Sequence, residues 1–166
     1  MSSETITTAI FLITTVVAAS VLVMAIFPVI SSMTGTFAST THESDVRIRT
    51  DFKIIATYAS SGTQTAQIWM KNIGSERISS TSIRDFATVL CGSPTNFGPI
   101  IYDPGTADGY WTYTIIQTSD NGFWDPGETL EVTCVTPKIP ASPNYAFFQF
   151  TLANGIWRST EFTVSP

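Results

Sequence analysis

The densest set of candidate metal-ligating oxygens lies in Ser119-Asp120-Asn121-Gly122-Phe123-Trp124-Asp125-Pro126-Gly127-Glu128. Asp120, Asn121, Asp125 and Glu128 make a calcium candidate of low specificity, because calcium takes several oxygen ligands from such loops. The spacing lacks the alternating ligands and later Glu of an EF-hand. The plainer reading is a turn-rich hairpin with Trp124 folded over it. His42 is the only histidine, and with no partner to orient it, it reads as polar surface. Cys91 and Cys134 are the two cysteines. With one histidine they are too few for a zinc site, and neither CxxC nor HExxH occurs. In an oxidising compartment they are expected to pair as a disulfide; the alternative is two buried thiols packing as small hydrophobes. No GxSxG, phosphate-binding loop or dinucleotide fingerprint occurs, and no paired carboxylates mark a cleft. The chain reads as non-enzymatic, with no cofactor and no metal expected.

Composition narrows the class further. The 166 residues carry 8 Lys and Arg against 13 Asp and Glu, for a net charge of -5. Nucleic-acid binding needs clustered cations, and here they are scattered. Arg47, Arg49 and Lys53 are the densest group, alternating with apolar residues as on a solvated strand face. After Glu4 no charged residue occurs until Glu43. The elements that must position any functional group are therefore an almost uncharged head, 1–44, and a charged remainder, 45–166, of about 120 residues, enough for one core.

The head reads ITTAIFLITTVVAASVLVMAIFPVI over Ile6 to Ile30. At 1.5 Å rise per residue that is long enough to cross a bilayer, which needs about 20 residues. A cleaved signal opens with positive charge and has a shorter apolar run; this segment reads as permanent. On a helix turning about 100° per residue, Thr7, Thr14, Ala18 and Ala25 fall within about 40° of one another, and Ser32 continues the line. Small residues let helix backbones approach closely, which is how helices associate in lipid. Glu4 reads either as an assembly charge that pairs with a neighbouring chain or as a first-turn carboxylate complementing the helix dipole. Pro28 is expected to loosen the helix, and Ser31 to Thr41, with Gly35, to form a Ser/Thr-rich neck or a helix end that orders on assembly.

From Val46 the period changes to two. Val46, Ile48, Phe52, Ile54 and Tyr58 alternate with polar residues as in a half-buried strand. Further strands are expected over Ala66–Asn72, Ile83–Cys91, Tyr110–Gln117, Leu130–Thr136, Tyr145–Leu152 and Ile156–Val164. Asp103-Pro104-Gly105 and Asp125-Pro126-Gly127 suit type II turns, and Asn154-Gly155 suits a hairpin. About seven short strands at this spacing predict a mainly β fold, an immunoglobulin-like sandwich, behind the long hydrophobic helix. Phe148 and Phe150 share one strand face and Phe147 takes the other. That strand is either central in the core or carries an outward aromatic patch that docks another subunit.

The opening Met1-Ser2-Ser3-Glu4-Thr5-Ile6, its Val- and Ala-rich continuation and Arg49-Thr50-Asp51-Phe52-Lys53-Ile54-Ile55 together resemble the accessory, stator-type protein G and F family of the archaellum, the archaeal swimming filament. That family is related to archaellins and type IV pilin-like proteins. The resemblance covers roughly the first sixty residues plus the general sandwich plan. It implies a membrane-anchored motility component with its domain outside the cytoplasm. It also implies self-assembly, other archaellar proteins as partners and contact with the surface layer. An archaellin-like filament subunit is the alternative, with its helix in the filament core; the lack of a basic leader before Met1 argues for the accessory protein. A single-pass surface binding module is the third reading, motivated by the Asp120 to Glu128 loop and the aromatics.

Overall fold

The computed structural model describes residues 2–103, 109–117 and 120–166; the side chains of 2, 34–40, 42 and 43 lie outside that description. The chain divides into two compact units, Met1–Ser44 and Asp45–Pro166. The first is helical. Helix α1 runs from Ser2 to Arg49 with Pro28 inside it, so the expected neck over 31–41 is helix. The strand expected from Val46 is also corrected: Val46 to Arg49 form the last helical turn, and strand β1 starts at Phe52.

Backbone hydrogen bonds explain where the helix stops. Helix ends leave carbonyls without intrahelical donors. Thr50 turns its hydroxyl back onto the Val46 carbonyl at 2.7 Å. Arg49 O accepts from the N–H groups of Ser75 and Glu76, and Asp51 O from those of Ile73 and Gly74. The 73–76 loop therefore caps the helical turn that belongs to the outer unit. Asn72 holds this loop from inside the core. It is fully buried, its Nδ2 donates to Glu76 O at 3.0 Å and Trp124 O at 3.1 Å, and its Oδ1 accepts from Gly74 N at 3.0 Å.

The outer unit is a β-sandwich. Its further strands are β2 (Thr65–Asn72), β3 (Ile78–Ser79), β4 (Thr88–Ser93), β5 (Asn96–Tyr102), β6 (Tyr110–Ile116), β7 (Phe123–Trp124), β8 (Thr129–Val135), β9 (Tyr145–Thr151) and β10 (Trp157–Thr163). A short helix α2 (Ser80–Phe86) precedes β4. Eight strands follow the order β1-β2-β8-β6-β5-β4-β9-β10, and β3 pairs with β7 as a separate ribbon. β1-β2-β8-β6 and β5-β4-β9-β10 are antiparallel quartets, joined by a parallel β5–β6 pairing of Ile101 with Tyr110 and Tyr102 with Trp111. At the opposite side Ser60 bridges to Ser165. Both lateral openings are thus partly closed, which protects strand edges.

Inward residues alternate along each strand as a half-buried sheet requires. Ile68, Leu130, Val132 and Trp111 face Val89, Phe148 and Phe150 in one core. Trp111 and Phe52 each meet Phe150 edge-on, at 6.2 and 5.7 Å between ring centroids. Asp125-Pro126-Gly127 makes the expected turn, with Glu128 N bonded to Asp125 O at 3.0 Å and Gly127 at φ 88°. Asn154-Gly155 closes the β9–β10 hairpin. Asp103-Pro104-Gly105 lies outside the described residues. The strand expected over Ile83–Cys91 is corrected at its start, since Ile83 to Phe86 belong to α2.

Gly74 generates a prediction. A Cβ there would fall on the Arg49 carbonyl oxygen and the Asp51 nitrogen, which are backbone atoms that cannot step aside. Gly74→Ala is expected to destabilise the outer unit by about 1–3 kcal/mol, the usual overpacking cost. Gly62→Ala, which would meet only the Ser60 hydroxyl at 3.8 Å, should stay within about 0.5 kcal/mol. Denaturant unfolding followed by tryptophan fluorescence checks both; equal midpoints would refute the close-approach argument.

Candidate functional site

The feature that a free chain leaves unresolved is α1. From Ser3 to Met33 it is long and apolar enough to cross a membrane, with a mean hydropathy of 2.7 and none of that window buried. Side chains such as Phe11 and Met24 remain 72% and 75% exposed. Its hydroxyls are satisfied within the helix. Thr7 Oγ1 donates to Ser3 O at 2.9 Å, Thr14 Oγ1 to Ile10 O at 2.8 Å, and Ser20 Oγ to Val16 O at 2.8 Å. Ser31 and Ser32 both donate to Pro28 O. Back-bonding of this kind removes the penalty for placing Thr and Ser among apolar groups. Thr7, Thr14, Ala18 and Ala25 are all helical and exposed, so their common face is open for packing. Glu4 lies in the first turn, where a carboxylate complements the positive end of the helix.

The other expected sites resolve differently. Cys91 on β4 and Cys134 on β8 meet between the two quartets, but both are free thiols and completely buried. The expected disulfide is not formed in this structure; the two side chains pack as small hydrophobes in the core. Burial pushes the Cys134 thiol up, and its hydrogen bond with Cys91 adds to that. His42 has its backbone in α1, and its side chain is outside the described residues.

The calcium candidate is occupied by its own protein partners. Arg77 grips Asp125 through two bonds, Nε to Oδ1 at 2.6 Å and Nη2 to Oδ2 at 3.3 Å. Asn121 Nδ2 donates to Asp125 Oδ2 at 2.7 Å. Asp120 Oδ1 accepts from Gln117 Nε2 and Gly122 N. Glu128 Oε2 accepts from Asp125 N, and its carbonyl accepts from the Trp124 indole. Those oxygens close a turn instead of facing an open coordination site, and among the described residues no group of three His, Cys, Asp or Glu is arranged for a metal. Arg77, which also stacks over Phe123 at 4.5 Å, carried no signal in the sequence. It is 48 residues from Asp125, and only the β3–β7 pairing brings them together.

A groove of about 680 Å³ runs beside the end of α1, lined by Arg47, Ile48, Asp51, Trp157 and Arg158 among others. Its carboxylate is engaged: Arg158 Nη2 donates to Asp51 Oδ1 and its guanidinium lies over the Phe52 ring.

The chain thus joins an exposed apolar helix with internally bonded hydroxyls to a β-sandwich. The model of the archaeal-type flagellin family matches residues 2–162, and the chain belongs to that family. A protein of Archaeoglobus fulgidus is 27% identical over 159 residues, covering 94% of this chain and 95% of that one. The fold is similar to the archaellum periplasmic stator protein FlaG from Sulfolobus acidocaldarius, at a TM-score of 0.55 and 24% identity over 68% of this chain and 99% of that one. It is equally similar to the archaeal flagellum of Methanospirillum hungatei, with a TM-score of 0.55 and 17% identity over 90% of each chain. The sandwich plan expected from strand spacing is therefore present, with eight strands in the main order instead of seven.

Two predictions follow from these geometries. Ala18→Phe fills the small face and is expected to weaken helix–helix association about tenfold in micelles, measured by energy transfer between labelled chains. Unchanged transfer would mean the face is accidental. The Arg77 and Asn121 hydrogen bonds hold the Asp125 carboxyl below its ordinary value of 3.8. A lowered folded-state value stabilises the protein above the unfolded value, and that contribution is lost as pH falls through the folded one. Unfolding midpoints should therefore drop as pH falls below about 4, less steeply in Asp125→Asn. Parallel pH profiles would remove the pair from the account.

Proposed function

We propose that this chain is a stator-type structural subunit of the archaellum, held by α1 in the membrane with its sandwich outside the cytoplasm. It works without catalysis, assembling with copies of itself and with other archaellar proteins through the Thr7, Thr14, Ala18 and Ala25 face. In this reading Glu4 pairs with a neighbouring helix start, and the outer domain faces the surface layer. The observation that carries the stator reading is the outer unit, whose fold spans 99% of the FlaG chain at 24% identity, against 17% for the flagellum. FlaG is also seen in a periplasmic stator complex with FlaF, to which this chain is similar at a TM-score of 0.54; a homologous partner is part of the proposal.

A filament subunit is the second reading. The family match over 2–162 and the 90% coverage of the flagellum chain support it. An apolar helix is equally at home in lipid or in a filament core. Deleting the gene separates the two. Under the stator reading the cells still make filament subunits but do not swim, and sheared, purified filaments contain little of this chain. Its abundant recovery from such filaments would overturn the stator assignment in favour of the filament.

A further inference from the structure

The outward faces of the two quartets differ in chemistry. On β1-β2-β8 the outward rows contain Lys53 against Lys71, and Trp69 against Glu131. Thr129 stands opposite Lys71 and Thr133 opposite Gln67. Ile55, Tyr58 and Ile116 are also exposed on this quartet, so the face mixes apolar groups with three charges. On β5-β4-β9-β10 the outward register sets Trp157 against Thr151, Leu90 against both Gln149 and Pro99, and Gly92 against both Phe147 and Phe97. Phe97 and Phe147, the partners of Gly92 on its two sides, meet at 4.4 Å between ring centroids, tilted by 38°. The only charge among the outward residues of these strands is Glu161, on the outermost strand β10.

The exposure is large for a soluble surface. Trp157 is 53% exposed, Ile101 63%, Phe97 44% and Tyr145 58%. Aromatic side chains carry about 150–250 Å² each, so the three rings together with Ile101 offer roughly 500 Å² per copy. That is at the upper end of the largest apolar patch expected on a monomer.

We infer that the outward face of β5-β4-β9-β10 is a docking surface for the same face of a second copy of this chain. Two copies together bury about 1,000 Å², the lower bound of a specific interface. A sheet face can pack on its twin in the aligned manner of sandwich layers, and a two-fold contact needs only self-complementarity. Leu90, Phe97, Pro99 and Phe147 are interleaved with the uncharged Gln149, Thr151 and Ser159, and the one carboxylate lies on the outermost strand, a mixture in keeping with the moderately apolar composition of non-obligate interfaces. A net charge of -5 opposes self-association elsewhere on the surface, whereas this face presents almost none of it. The inference rests on the self-assembly proposed above, which raises the local concentration of the outer domains so that a modest contact suffices.

The test uses the full chain in detergent micelles. Gln149→Cys places one thiol near the middle of the face, and Thr133→Cys places one on the opposite face as the control; the native cysteines are buried. Mild oxidation should link Gln149→Cys chains into dimers and leave Thr133→Cys chains largely single. Adding Phe97→Glu should reduce the linked fraction about tenfold, the effect of removing one interface anchor. Thr88→Cys replaces Gln149→Cys should the latter lose its β circular dichroism. Equal linking at positions 149 and 133, or none at either, overturns the inference, as does linking that Phe97→Glu leaves unchanged. Ala18→Phe tests the helix independently: helix association lost with linking at 149 retained upholds both faces, and helix association unchanged rejects the helix face alone while linking at 149 still upholds this one.

Discussion

An apolar helix that touches nothing must be covered. From Ser3 to Met33 no residue of α1 is buried, and each uncovered methylene is unfavourable in water by about 0.8 kcal/mol. Over such a length the sum far exceeds the stability of a small domain. Lipid or other helices must supply the cover, and the rest of the molecule is organised around that need. Thr7, Thr14 and Ser20 hydrogen-bond to their own backbone, so neither solvent meets an unsatisfied hydroxyl. The single early charge, Glu4, stays at the helix start, outside the apolar run.

Within the unit Asp45–Pro166, a few backbone groups hold the last helical turn to the sandwich. The N–H groups of 73–76 take the carbonyls of Arg49 and Asp51, and buried Asn72 fixes the loop from beneath. Gly74 permits the approach because a side chain would strike backbone. None of this was readable beforehand. Asn72-Ile73-Gly74-Ser75 looks like an ordinary turn, and a turn says nothing about which carbonyls its donors will find. Alternation in Val46, Ile48, Phe52 and Ile54 reads as one strand, yet the preceding helix continues until the Thr50 hydroxyl closes it. Four residues cannot distinguish the two periods when a strong helix leads into them.

Where long segments set the pattern, the sequence was a better guide. β2, β6, β8, β9 and β10 match their expected positions to within a residue or two, because a two-sided burial demand repeats over each strand. β5 has no comparable signal, since it carries Gly98 and Pro99, two residues depleted from strands. Proline is tolerated there because β6 pairs with β5 only at Ile101 and Tyr102, leaving the β5 edge open at Pro99. The Asp120 to Glu128 loop looked like a cation site because residue types alone do not reveal Arg77 arriving from another strand.

The core reading of the phenylalanine run holds for one face of its strand. Phe148 and Phe150 are fully buried, and Phe147 faces outward against Phe97. β9 lies between β4 and β10, so its two faces answer to different partners: the core on one side and whatever lies outside on the other. The same division holds for the whole chain. Lipid and a filament core make nearly identical demands on α1, so the helix cannot by itself decide between a fixed and a rotating part. Discrimination has to come from the sandwich, where the quartets differ in charge: one carries Lys53, Lys71 and Glu131 outward, the other only Glu161. A subunit repeated along a filament needs heterologous contacts that propagate, whereas a paired stator needs a contact that closes on itself. A pairing of two β5-β4-β9-β10 faces, as inferred above, would be of the closing kind.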